Sequence, residues 1–207
     1  MARLLPLFPL QIVALPGGPV PLHIFEPRYR EMVGEAAANG TEFGIVLARS
    51  EGIVNTGCTV TVEEVVNRYP DGRFDVMTRG QRRFRIVGLD REKDWLRGEV
   101  VFFDDEDVVE VEPALREQAL ASLTQLREVS GSPEDLPEPS HLRLSFQLAQ
   151  EIDDIDFRLM QLGARSERER LRQFIRFVES WIPRQAMAAR TKRTAGTNGF
   201  GHHPAIN

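Results

Sequence analysis

Lysine stands at only two of the 207 positions, Lys93 and Lys192, so arginine carries nearly all of the positive charge. A phosphate-binding loop needs a lysine directly after a glycine-rich turn, where it reaches the outer phosphates of a nucleotide. Lys93 lies in Arg91-Glu92-Lys93-Asp94 and Lys192 in Thr191-Lys192-Arg193, and neither fits. ATP hydrolysis through such a loop is therefore excluded for this chain. Cys58, the single cysteine, could act as a nucleophile, but a lone cysteine at the start of a strand reads as a small buried side chain. His23 and Glu26 have the spacing of half a metal site. On a strand that then turns they point to different places, and no further histidine or cysteine ligand lies near them, so no metal and no cofactor is expected. Glu26 instead fixes the entry to a helix, accepting from backbone amides or from Arg28 or Arg30. Asp153, Asp154 and Asp156 read as solvated carboxylates, since paired carboxylates need a cleft to act as acid and base.

Arg79, Arg82, Arg83 and Arg85 surround Phe84, a composition suited to single-stranded nucleic acid. Strand alternation argues against that use. It places Arg83 and Arg85 on one face and Phe84 and Ile86 on the other, the pattern of a half-buried strand with a wet exterior. The net charge of −5 also gives little long-range attraction for phosphate. Six acidic and no basic groups fall within residues 104–112, between two nearly neutral halves. Charges packed this closely favour an extended, solvated chain, so this segment is expected to be the exposed end of a strand running into a linker.

The elements that must position these groups change character at that segment. Before it the pattern is mostly β. Residues 58–62, 74–77, 84–87 and 98–103 read as short strands, and Tyr69-Pro70-Asp71-Gly72 as a hairpin turn. Many short strands with regular turns predict a sheet rolled into a barrel. One helix interrupts them: Pro27 suits its first position, Tyr29, Met32, Val33 and Ala36 share a face, and Gly40 ends it. After the acidic segment the period is helical. Pro113 opens a helix with Leu115, Ala119, Leu123 and Leu126 in a stripe. Ser140 caps a second helix, through Ile152, with Leu142, Phe146 and Ala149 inward. Residues 156–162 form a third, stopped by Gly163. Ser166 and Glu169 fit a capping box for a fourth, striped by Leu171, Phe174, Ile175, Val178 and Ile182, which Pro183 should kink or end. The fold class is thus α+β: a β domain over residues 1–110, a small antiparallel helical bundle over 111–190, and a disordered tail over 191–207.

Three ordered blocks carry a resemblance. Leu7-Phe8-Pro9-Leu10 and the Pro16-Gly17 turn come first, then Leu22-His23-Ile24-Phe25-Glu26-Pro27-Arg28-Tyr29, then Arg79-Gly80-Gln81-Arg82-Arg83-Phe84-Arg85-Ile86. Together they resemble the amino-terminal, substrate-binding domain of Lon proteases, over most of residues 3–182. The resemblance implies a PUA-like β barrel followed by helices, with Phe25, Glu26, Arg28, Tyr29, Gly80, Arg83 and Phe84 as framework. It also implies the selection of protein substrates without catalysis. Neither lysine suits the Ser–Lys proteolysis of that family, because Lys93 is flanked by charges and Lys192 lies in the tail.

Apolar positions supply the candidate contact surface. Phe8 and Leu10 belong to a nearly continuous apolar run, and Trp95, Phe102 and Phe103 add aromatics. Neighbours on a strand face opposite sides, so one of Phe102 and Phe103 points away from the interior. An open apolar groove there would suit unfolded or extended polypeptide, with a separate ATPase or protease as a further partner. The expected function is a noncatalytic, adaptor or chaperone-like binding protein. The alternative is small-molecule or nucleic-acid binding in the barrel cleft. The lone cysteine, an amino-terminal segment without the pattern of a secretory leader and the lack of a membrane-length apolar run lead to the expectation of a cytoplasmic chain.

Overall fold

The computed structural model describes residues 4–106, 110–130, 136–138 and 141–197. Its strands are β1 (Leu5–Leu10), β2 (Pro19–Ile24), β3 (Phe43–Arg49), β4 (Gly52–Arg68), β5 (Phe74–Asp90) and β6 (Arg97–Phe102), with helix α1 (Pro27–Asn39) between β2 and β3. Helices α2 (Pro113–Ser130), α3 (Leu144–Gln150), α4 (Ile155–Gly163) and α5 (Glu167–Thr197) follow.

The sheet runs in the order β2-β5-β4-β3-β1-β6, and β6 also pairs with β5. Strand β5 divides its length, pairing with β2 over residues 74–79 and with β6 over residues 84–90. The pairings β1–β3–β4–β5–β6 therefore return to β1. Register shifts in the β4–β5 ladder between Cys58 and Val60, Val62 and Glu64, and Val65 and Asn67 bend these long strands. Residues 74–77 and 84–87, expected as separate strands, belong to one. Alternation persists through the polar types between them, because Phe74, Val76, Thr78 and Gly80 are all buried, and the Thr78 hydroxyl donates to the Val20 carbonyl at 2.8 Å.

Leu5, Leu7, Val46, Phe84 and Ile86 form one apolar cluster among the strands. The Phe84 ring fits because Gly44 and Gly57 leave room; a Cβ at either would stand 2.6 or 2.4 Å from its Cζ. A larger cluster includes Phe8, Phe43 and Val60 from the strands as well as Phe146, Leu171 and Phe174 from the helices. Helical and β parts thus share a core. Helix α1 buries Tyr29, Met32, Val33 and Ala36 and ends at Gly40, whose φ is +61°. The hairpin between β4 and β5 closes with Gly72 at φ +86° and its N–H on the Tyr69 carbonyl.

The helical part departs from expectation in three places. Helix α3 begins at Leu144, with Leu142 86% exposed rather than inward; Ser140 lies outside the described residues. The amide of Ser145 is taken by the Glu167 carboxylate at 2.8 Å, so α3 is capped from α5 and needs no serine of its own. Helix α5 runs through Pro183 to Thr197. Both Pro183 and Glu179, four residues earlier, are exposed, which leaves the carbonyl that loses its partner open to water. The rest of the expected tail, with His202-His203, lies outside the described residues. No described helix is long and apolar enough to cross a membrane.

Candidate functional site

Alternation along β5 turns Phe84 inward and Arg83 outward, yet Arg83 is only 5% exposed. The wet exterior expected for it is covered by the helices. Its guanidinium donates to the carbonyls of Leu162 at 3.4 Å and Ala164 at 2.5 Å, and to the Asp105 carboxylate at 2.6 Å. Arg170, from the first turn of α5, reaches the same aspartate with two bonds of 2.6 Å. It also donates to the Ala164 carbonyl, the Glu167 carboxylate and the Ser145 hydroxyl. Its Cζ lies 4.3 Å from the centre of the Phe146 ring. Burial alone would raise the Asp105 carboxyl, but the hydrogen bonds and charges of Arg170 and Arg83 outweigh it and hold the group below the usual carboxylate range. Burial lowers the Arg83 guanidinium from its ordinary value, but arginine remains charged at any physiological pH.

The acidic segment is consequently no free linker. Glu106 pairs with Arg165 at 2.5 Å, Glu112 with Arg168 at 3.0 Å and Asp105 with Arg170, so three of its carboxylates lie along the arginines at the start of α5. Sequence reasoning missed Asp105 and Arg170. A signal existed for Arg170: it continues the buried stripe of Leu171, Phe174 and Val178 one turn toward the amino terminus.

Above this network opens a cleft of about 260 Å³. Buried Arg83, Phe146 and Arg170 line it together with exposed Arg82, Leu142 and Arg143. Arg82 is held by Glu42 at 2.9 Å and lies 3.8 Å over the Phe102 ring. Phe102 meets Phe84 edge-on at 6.5 Å and remains 41% exposed. Phe103 faces the other side, half-buried against Arg83, Arg85 and Arg165. Of the other apolar positions proposed for contact, Leu10 is half-buried, while Phe8 and Trp95 are 6% and 5% exposed. Phe8 packs on Tyr29 at 4.2 Å. Phe8 and Trp95 are core residues and present no surface to a partner.

The remaining motif residues build the frame. Gly80 admits the loop before β2: a Cβ there would stand 2.0 Å from the Leu15 carbonyl oxygen. Its N–H and C=O bond Gly18 and Gly17. Glu26 occupies the cap of α1 and its carboxylate pairs with Arg28. His23 bonds Asp75 at 2.6 Å and Tyr69 bonds the same carboxylate at 2.8 Å, with exposed Phe25 stacked on the imidazole. Asp75 precedes Arg83 by eight positions, roughly 25 Å along an extended strand, so these side chains are remote from the cleft. No group of three or more potential metal-ligating side chains occurs among the described residues. Burial pushes the Cys58 thiol up to about 12, which keeps it protonated at neutral pH.

A family model described as the ATP-dependent protease La (LON) substrate-binding domain matches residues 4–166. The chain belongs to the Lon substrate-binding domain family. It is similar to the crystal structure of a Lon N-terminal domain protein from Xanthomonas campestris, with a TM-score of 0.65 and 27% identity, covering 84% of this chain and 97% of that one. It also has the fold of the N-terminal domain of a Mycobacterium avium complex Lon protease, with a TM-score of 0.69 and 18% identity over 86% and 98% of the two chains. The Lon-family match ends at Ser166, so Arg170 and the rest of α5 lie beyond the matched span while completing the cleft's floor.

Proposed function

We propose that this protein is a noncatalytic polypeptide-binding factor of the cytoplasm, an adaptor or chaperone-like member of the Lon substrate-binding family. In this reading residues 1–110 are a PUA-like β barrel, residues 111–190 a helical bundle docked on it, and the cleft between them the contact surface. The observation that carries the reading is the exposed apolar surface at and next to the cleft: Leu142 in its lining is 86% exposed, and Phe102, under the guanidinium of the cleft residue Arg82, is 41% exposed. Large apolar groups left in water beside a concave site favour a partner that buries them. Unfolded or extended chains expose such groups and tolerate loose specificity.

Nucleic acid is disfavoured because Arg82 and Arg83, the arginines nearest the cleft on β5, are already engaged by Glu42 and Asp105. A small-molecule role for this cleft is disfavoured by its volume of about 260 Å³, since such pockets usually hold about 300–1,000 Å³. A separate ATPase or protease would act on what this protein holds. Light scattering by a heat-unfolded test protein checks the activity. The protein should suppress scattering at near-equimolar ratio without nucleotide, and the L142D variant should suppress it less. Unchanged scattering at large excess of folded protein would count against the proposal.

A further inference from the structure

Resting on the polypeptide-binding reading, we infer that the cleft takes the carboxyl-terminal end of a chain, with Arg143 holding the α-carboxylate and an apolar last side chain packing beside it. An arginine offers five N–H groups. Arg170 has a bond from every one of its three nitrogens, five in all, to Ser145, Asp105, Ala164 and Glu167. Arg83 is engaged by Asp105 and two backbone carbonyls, and Arg82 by Glu42. Arg143 also lines the cleft, and its guanidinium has no hydrogen-bond or ion-pair partner among the described residues. One open, exposed cation therefore stands in the lining, next to Leu142 in sequence.

Shape and charge select the ligand. The floor is formed by the buried side chains of Arg83, Phe146 and Arg170, and the end of a chain is the part of a polypeptide that brings a backbone carboxylate to the open Arg143. Of the four arginines in the lining, Arg82 is paired with Glu42, Arg83 with Asp105 and Arg170 with Asp105 and Glu167. The unpaired Arg143 is the group that suits a terminal carboxylate. An arginine fork matches a carboxylate's two oxygens, while Leu142, Phe146 and Pro16 supply apolar wall for the last side chain.

The test uses a fluorescein-labelled decapeptide, polar except for a carboxyl-terminal leucine, as the free acid and as the amide. Anisotropy with the full chain should show the acid binding about tenfold tighter or more, the worth of one charge-assisted hydrogen bond. R143Q should bring the acid to the level of the amide while its melting temperature stays at the wild-type value. Equal binding of acid and amide, or an acid preference that survives R143Q, overturns the inference. A permanently unfolded labelled protein, run in parallel, separates the two readings. If it binds while the acid shows no preference, only the terminal-carboxylate inference falls; if neither peptide nor unfolded protein binds, both fall.

Discussion

Arg83 of β5 and Arg170 of α5 donate to one and the same oxygen of Asp105, each at 2.6 Å. Strand, acidic segment and helix are thereby joined at a single half-buried carboxylate, which sets where the helical part sits on the sheet and how the cleft is floored. Removing the shared anion would leave two buried guanidiniums facing each other. D105N should destabilise the protein by about 3 kcal/mol, the low end for breaking a buried ion pair. Urea unfolding at neutral pH measures this, and limited proteolysis at the linker reports whether the helices have come loose.

The same anion predicts an acid response. Its folded pKa lies below the ordinary aspartate value of about 3.9. The stability it contributes is therefore fully present above that value and is lost as pH falls through the depressed folded pKa. Wild-type stability should drop below about pH 4, and D105N should show a shallower decline over the same window. Parallel curves for the two proteins would remove Asp105 from the account.

Gly44 faces the Phe84 ring and the Leu7 side chain, with a Cβ placed 2.6 and 2.9 Å from them. G44A should cost about 1–3 kcal/mol by overpacking. F84L should relieve part of that cost, so the double variant should be less destabilised than the sum of the single ones, as chemical denaturation of all four proteins would reveal.

Cys58 is fully buried and its thiol is pushed up to about 12. It should react with a chromogenic disulfide only at the rate of global unfolding, and at once in denaturant. Fast reaction of the native protein would mean that the β4 strand opens locally.

Helix α1 was legible because its limits have local chemistry, Pro27 at the start and Gly40 at the end, and its buried face repeats at helical spacing. The stripe of α5 was legible for the same reason. Arg83 was not. Alternation tells which face of a strand a residue occupies but not what covers that face, and here the cover comes from residues 162–170. Phe8 misled as a contact residue because a strand buried on both faces shows the same continuous apolar run as an open groove. Asp105 was one of six carboxylates in nine residues, with nothing local to distinguish the one that is paired with two buried arginines. A helix starting at Ser140 would turn Leu142 inward; with the cap supplied by Glu167 the helix starts at Leu144 and leaves Leu142 in water.

The claim that this surface holds polypeptide is tested most directly by fluorescence anisotropy of one labelled protein in native and permanently unfolded forms, titrated with the purified chain in the absence of nucleotide. The account predicts binding of the unfolded form alone, weakened at least tenfold by F102D or L142D in variants whose circular dichroism matches the wild type. Binding of neither form by well-folded protein, or unfolded-form binding indifferent to both substitutions, would contradict it.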